Sequence, residues 1–320
     1  MDNKLNQLYK KALITGGGGF IGSHLVDALL AEGLEVVCVD NYITGNPDNV
    51  AHNKNNPNFV ECVCDITNYR DMQACFDGVD LVFHQAALGS IPRSIKDPLN
   101  THSNNVNGFA NVIELAMRNN VKKFIYASSS SVYGDDKTLP KTEDVIGTPL
   151  APYGLSKLAN ELYAKVFSRT YGMDCIGLRY FNVFGPRQNP LGEYSAVIPR
   201  WISQLKNREA VEIFGDGTTS RDFTYVKNVV QANILAAELP FSEGRHEVFN
   251  IACGKITSLR ELFEILVSII SPGKKYEPVY QDFRKGDIHC SVASIEKAIN
   301  IMGYHPTIEL QSGLHLTAEE

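Results

Sequence analysis

The stretch LITGGGGFIGSHLVDALL sets Gly16, Gly19 and Gly22 at three-residue spacing between an apolar run ending at Thr15 and an amphipathic run beginning at Phe20. No other feature constrains the fold as much, because a strand that turns this tightly into a helix opens a βαβ unit. Gly16 permits the tight turn, Gly19 lets the backbone approach a pyrophosphate, and Gly22 allows close helix packing. The helix N-terminus then faces the anion with unsatisfied N–H groups. An ordinary glycine-rich turn is the alternative, and the rest of the chain decides against it.

Apolar runs of strand length alternate with helix-length stretches: residues 12–15, a helix over 20–32, then Glu35–Asp40, 59–64, Leu81–His84 and 124–127. This alternation predicts a parallel sheet with helices on both faces, and continuous β-branched runs suit strands buried on both sides. Longer helices fit 98–119 and Pro152–Tyr171, followed by a strand over Cys175–Tyr180. After Asn182 the texture changes, broken by Gly185-Pro186, Asn189-Pro190, Gly192 and Pro199. A helix over Val226–Glu238 and a strand over 248–251 then resume the first pattern. The expected fold is α/β. A doubly wound parallel-sheet (Rossmann) dinucleotide domain covers 1–182 with a return segment near 226–255, and a smaller interleaved α/β substrate domain occupies most of 183–320.

A chain of 320 residues with 44% hydrophobic content buries a full core. Its net charge of -6, with no dense Lys/Arg block, argues against a nucleic-acid partner, whose phosphates need clustered cations. The polar opening MDNKLNQLYKK offers no signal peptide or membrane span, so a cytoplasmic location is expected. Cys38, Cys62, Cys64, Cys75, Cys175, Cys253 and Cys290 form no Cys-x-x-Cys pair and sit mostly in apolar runs. They read as reduced core residues, and no metal is expected.

Asp40 ends the second strand about twenty residues past the glycines, where a carboxylate accepts hydrogen bonds from both ribose hydroxyls of NAD and repels the 2′-phosphate of NADP. Asp65, after the third strand, suits the adenine end or, equally, a cap for the segment that follows. Gln85-Ala86-Ala87, after the fourth, suits a loop passing close to the cofactor.

Tyr153 and Lys157 lie one helical turn apart, downstream of the run Ser128 to Ser131. A tyrosine with a pKa of about 10 needs a shift of about three units, or ~4 kcal/mol, to act as a base at pH 7. A cation about 4 Å away at an effective dielectric of 20 supplies about that much, and Lys157 on the same helix face is such a cation. Ser129 or Ser130 can hydrogen-bond the same substrate hydroxyl and steer its proton to Tyr153.

The motifs TGGGGFIG, HQAA, NNVNG, SSSSVYGD, PYGLSK, LRYFNVFGPRQ, SRDFTYV and RKGD together resemble the extended short-chain dehydrogenase/reductase superfamily, and within it the UDP-sugar 4-epimerases. The resemblance implies tightly held NAD that takes a hydride from sugar C4 while the tyrosine removes the O4 proton, and a 4-keto sugar that turns over before the hydride returns. It implies cofactor contacts from Gly16, Gly19, Phe20, Ile21, Gly22, Asp40, Asn41, Asp65, Ile66, Gln85, Ala86, Ala87, Asn104, Tyr153, Lys157 and Tyr180. On the substrate side it implies Ser129 and Ser130 at the sugar and Asn182, Arg221 and Arg284 at the diphosphate, where guanidinium geometry suits phosphate. Asp287 matches a ribose contact, and Val197 and Phe214 fall near the uracil, although apolar residues in such segments are commonly core. It also implies a homodimer built on the helices over 98–119 and Pro152–Tyr171. In one respect the chain departs from the family, ending in HLTAEE soon after Gly313-Leu314, where relatives continue into a further helix.

Related dehydratases and decarboxylases place an acidic residue two or three positions before the tyrosine matching Tyr133, where this chain has Ser131 and Ser130. Epimerisation, which needs one hydroxyl to lose and regain its proton, fits better than elimination, which needs a further acid–base group. A non-catalytic NAD-binding protein of this fold is the other rival, and it commonly lacks the Tyr or Lys retained here. Ser291, seven residues after Arg284, matches a position that is bulky in epimerases limited to non-acetylated sugars. Its small side chain, with Ser90 and Arg93 as further candidate contacts, resembles the branch acting on UDP-N-acetylglucosamine and UDP-N-acetylgalactosamine. A UDP-hexose or a uronate form is the alternative substrate.

Overall fold

Seven strands form the central sheet: β1 (Lys11–Thr15), β2 (Glu35–Asp40), β3 (Phe59–Val63), β4 (Leu81–His84), β5 (Lys123–Ser129), β6 (Cys175–Tyr180) and β7 (His246–Ile251). They are seen in a computed structural model that describes residues 4–190, 195–283 and 289–319. All pair in parallel, in the order β7-β6-β5-β4-β1-β2-β3. Every residue of β4, β5 and β6 is buried, which is why apolar runs such as 81–83 and 124–127 stand out in the sequence. β3 lies at the edge and leaves Val60 and Val63 exposed.

The helices Phe20–Ala31 and Val226–Glu238 cover one face, packing Leu25, Val26, Leu29, Val229 and Ala236 onto Ile14, Phe83 and Phe249. Gly108–Arg118 and Pro152–Tyr171 cover the other through Phe109, Val112, Ile113 and Ala164. The chain crosses from one side of the sheet to the other between β1 and β4, and ligands of open α/β sheets bind in the crevice outside such a switch point.

The helix expected over 98–119 is interrupted. Pro98–His102 passes into a π-helical turn over Ser103–Asn107 before Gly108–Arg118 resumes the α-form. Asn105 in this turn is buried, with Oδ1 accepting from Leu88 N at 2.8 Å and Nδ2 donating to Ser156 Oγ at 3.1 Å. A hydrophobic period of 3.6 residues does not reveal one residue inserted into a turn.

A second core gathers Trp201, Ile202, Phe223, Tyr225, Phe263 and Leu266, and Leu314 from the helix Leu310–Ala318 is buried in it. The chain therefore carries a helix near its end, and Thr317 of that helix reaches the large cavity described below. Three small sheets accompany this core: Thr257–Ser258, Ser220–Arg221 and Cys290–Ser291 in one, Glu212–Phe214 and Val279–Gln281 in another, Val183–Phe184 and Thr224–Tyr225 in the third. No helix among the described residues is long and apolar enough to cross a membrane.

Candidate active site

β1 ends at Thr15 and the chain turns at Gly16 with φ of +69°. A β-carbon there would lie 2.7 Å from the Ala86 amide nitrogen, so the turn is pressed against the loop after β4. Gly19 forms the N-cap of Phe20–Ala31 without any side-chain cap, leaving the N–H groups of Phe20, Ile21 and Gly22 for an anion. Gly22 itself serves the turn: its missing β-carbon makes room for the Gly16 carbonyl.

At the end of β2, Asp40 Oδ2 accepts from Gly18 N at 2.9 Å and Oδ1 from Tyr42 N at 2.8 Å. Burial pushes its carboxyl up, against the pull of those backbone hydrogen bonds. Asn41 donates to Asp65 at 2.8 Å, while the other carboxylate oxygen of Asp65 takes the Thr67 amide and hydroxyl at 2.8 and 2.7 Å. Asp65 thus closes the turn leading to the short helix Tyr69–Gln73, whose own N-cap is Asn68, and does not line the cavity.

That cavity, about 1200 Å³, runs along the carboxyl ends of the strands. It exceeds the ~300–1,000 Å³ of a pocket for one small molecule and so suits two ligands held end to end. Among the expected residues, Gly16, Gly19, Phe20, Ile21, Gly22, Asp40, Asn41, Ile66, Gln85, Ala86, Ala87, Asn104, Ser129, Ser130, Tyr153, Lys157, Tyr180 and Asn182 line it. Ser90, Arg93, Val197, Phe214, Arg221 and Ser291 do not. Ser90 is spent as the N-cap of Ile91–Lys96, accepting from Arg93 N at 3.2 Å. Val197 packs against the second core, and Phe214 ends a strand of one small sheet. Arg221 and Ser291 pair with each other on another small sheet. Arg284 and Asp287 lie outside the described residues.

Tyr153 stands in the first turn of Pro152–Tyr171 and lines the cavity together with Ser129 at the end of β5. Lys157 is buried, donates to the Ala127 carbonyl at 2.9 Å, and places its ammonium 6.0 Å from the Tyr153 ring centroid. Burial pulls Lys157 down to about 8 and pushes Tyr153 above its ordinary value, while Ser129 acts the other way on the tyrosine. Burial thus favours the neutral phenol at Tyr153. The attraction of a cation at about 4 Å is opposed here by the cost of removing the phenolate from water.

Sequence reasoning missed several parts. Asn105 pins the Leu88 loop to the Tyr153 helix, and its signal was present in NNVNG. Asn233, on the Val226–Glu238 helix, donates to the Tyr180 hydroxyl at 2.9 Å and accepts from Gln85 at 3.1 Å, joining the ends of β4 and β6 to that helix. Pro199, Ile202, Ser203 and Lys206, from Val197–Lys206, supply a wall of the cavity, as do Arg187 and Gln188.

A glycine cradle that no β-carbon could enter, an uncapped helix N-terminus and a carboxylate at the second strand fit a dinucleotide, which would end beside Tyr153, Lys157 and Ser129. This combination defines an α/β enzyme of the short-chain dehydrogenase/reductase class. Over residues 12–252 the chain matches the NAD dependent epimerase/dehydratase family, and it belongs to that family, with NAD as its cofactor. It is 35% identical to a UDP-glucose 4-epimerase of Mycolicibacterium smegmatis, across 97% of each chain. A UDP-glucuronate 4-epimerase of Thermodesulfobacterium geofontis is 33% identical over 95% of this chain and 94% of its own. Among solved structures, the UDP-N-acetylglucosamine 4-epimerase from Methanobrevibacter ruminantium M1, in complex with UDP-N-acetylmuramic acid, superposes with a TM-score of 0.91 at 39% identity, covering 97% of both chains. The chain is thus an NAD-dependent UDP-sugar 4-epimerase.

Proposed function

We propose that the enzyme interconverts UDP-N-acetylglucosamine and UDP-N-acetylgalactosamine by reversible oxidation at sugar C4. One observation carries the choice of epimerisation over elimination or decarboxylation. Among the described residues lining the cavity, Asp40 is the only carboxylate, and it sits on β2, apart from the Ser129–Tyr153 pair. A single hydroxyl is deprotonated and reprotonated with these groups; elimination would require another acid. The acetylated sugar is supported by the small Ser291 and by the likeness to the Methanobrevibacter enzyme.

NAD, when bound, supplies the hydride acceptor and donor, together with a positive ring that favours the Tyr153 phenolate. Ser129 holds the sugar O4 hydroxyl and hands its proton to Tyr153, with Ser130 beside it. Lys157, held by the Ala127 carbonyl, keeps a positive charge next to the tyrosine ring. Asp40 takes the adenosine ribose, and the first turn of Phe20–Ala31 takes the dinucleotide phosphates. Asn182, held by its bond to the Asp222 carbonyl, meets the UDP diphosphate, with Arg221 and Arg284 as its cationic partners.

A homodimer accompanies this reading. Leu155, Leu162 and Val166 on Pro152–Tyr171, with Ile95 and Leu99 on the adjoining helices, leave an apolar face open to solvent. The function is tested by incubating purified protein, without added cofactor, with UDP-N-acetylglucosamine, UDP-glucose and UDP-glucuronate and identifying products by NMR. Formation of UDP-N-acetylgalactosamine supports the reading; turnover confined to the other two sugars, or a product that has lost water or carbon dioxide, overturns it.

A further inference from the structure

Three consecutive residues at the end of β5 are each tied to the helix Pro152–Tyr171. Ser129 lines the cavity with Tyr153 and acts to lower its pKa, the Ala127 carbonyl accepts from Lys157, and Ser128 Oγ donates to Glu161 Oε1 at 2.5 Å. The helix partners recur every four residues and so share one face. The chemistry above uses the first two ties. The third ends on a buried carboxylate that does not line the cavity.

Glu161 is itself fixed from the neighbouring strand. Arg179 of β6, beside Ser128 in register, grips it with Nε and Nη2 at 2.9 and 2.8 Å, a bidentate pair that sets orientation as well as distance. Arg179 Nη1 donates to the Tyr133 hydroxyl at 3.0 Å, and that hydroxyl donates to Asn250 of β7 at 2.6 Å. A buried ion pair is weak as a source of stability, because desolvation of both charges offsets their attraction. What this one supplies is a fixed geometry behind the serines.

We propose that Glu161 is a positioning residue that holds Ser128, and through the strand Ser129, at the separation from Tyr153 at which the serine meets both the tyrosine and the sugar hydroxyl. The proposal rests on Tyr153 being the base. Side chains of Ser128 and Ser129 point to opposite faces of β5, so clamping one sets the placement of the other.

The test compares Glu161→Gln and Ser128→Ala with the parent holoenzyme. Glu161→Gln is expected to retain NAD and an unchanged KM while kcat falls about ten- to hundredfold, the scale of a small misplacement at a reacting centre. Its rising limb of kcat against pH moves to higher pH, because the effect of Ser129 that holds Tyr153 down is weakened. Ser128→Ala leaves the Arg179–Glu161 pair intact and shifts both readouts in the same direction, so the test stands even if Glu161→Gln does not fold. Parent-like kcat and pH profile in Ser128→Ala, or a fall in kcat without movement of the pH limb, overturns the proposal. Tyr153→Phe measured alongside separates the two readings. Abolished turnover there with parent-like behaviour in both variants removes the role of Glu161 alone; retained turnover removes the base assignment itself.

Discussion

A β-carbon on Gly22 would stand 2.0 Å from the carbonyl oxygen of Gly16, so the first turn of the helix and the glycine turn occupy each other's space. Gly22→Ala must therefore move backbone, not a flexible side chain. The variant is expected to lose about 1–3 kcal/mol of stability through overpacking and to purify largely free of NAD. Thermal unfolding and nucleotide released on denaturation measure both; full NAD occupancy would sink the assignment of this turn.

Lys157 links catalysis to pH. Its folded-state pKa of about 8 lies below the ordinary 10.5, so between these values the unfolded chain holds a proton that the folded chain has released. Stability accordingly rises with pH across that window, by up to about 3 kcal/mol from this group alone. Lys157→Met is expected to remove this rise, measured as the difference between parent and variant urea midpoints from pH 7.5 to 10.5, and to abolish turnover. Identical pH dependence in the two proteins would contradict the buried ammonium.

Ser291 pairs with Arg221 on a small sheet outside the described lining of the cavity. Ser291→Tyr is expected to lower kcat/KM for UDP-N-acetylglucosamine at least about tenfold while sparing UDP-glucose. Equal effects on both sugars, in parallel progress curves, would remove Ser291 from specificity.

The open face on Pro152–Tyr171 carries Leu162 at 57% exposure and Val166 at 56%, an arrangement that costs solubility unless covered. Leu162→Glu is expected to convert a dimer into a monomer by sedimentation. A parent that already sediments as a monomer disposes of the homodimer.

The central sheet was legible because its inner strands are buried on both faces and therefore write continuous apolar runs; Glu35–Asp40, Leu81–His84 and Cys175–Tyr180 begin and end where the sequence places them. The glycine turn was legible because a β-carbon at Gly16 or Gly22 would meet backbone. The π-turn around Asn105 was not, since an inserted residue leaves composition unchanged. Nor was the state of Tyr153, because desolvation depends on neighbours distant in sequence, and Val197 could not be told from core without knowing which side of its helix faces inward.

The hydrogen bonds among Gln85, Tyr180 and Asn233 bear on how the protein is made. A nascent chain that has emerged only as far as Asn182 contains the glycine turn, Tyr153, Lys157 and Gln85, yet lacks β7 and Asn233, which shares the buried Tyr180 hydroxyl with Gln85. The cofactor pocket is thus completed late in synthesis, and a ribosome that stalls midway leaves a polypeptide bearing every catalytic group but without the framework that orders them.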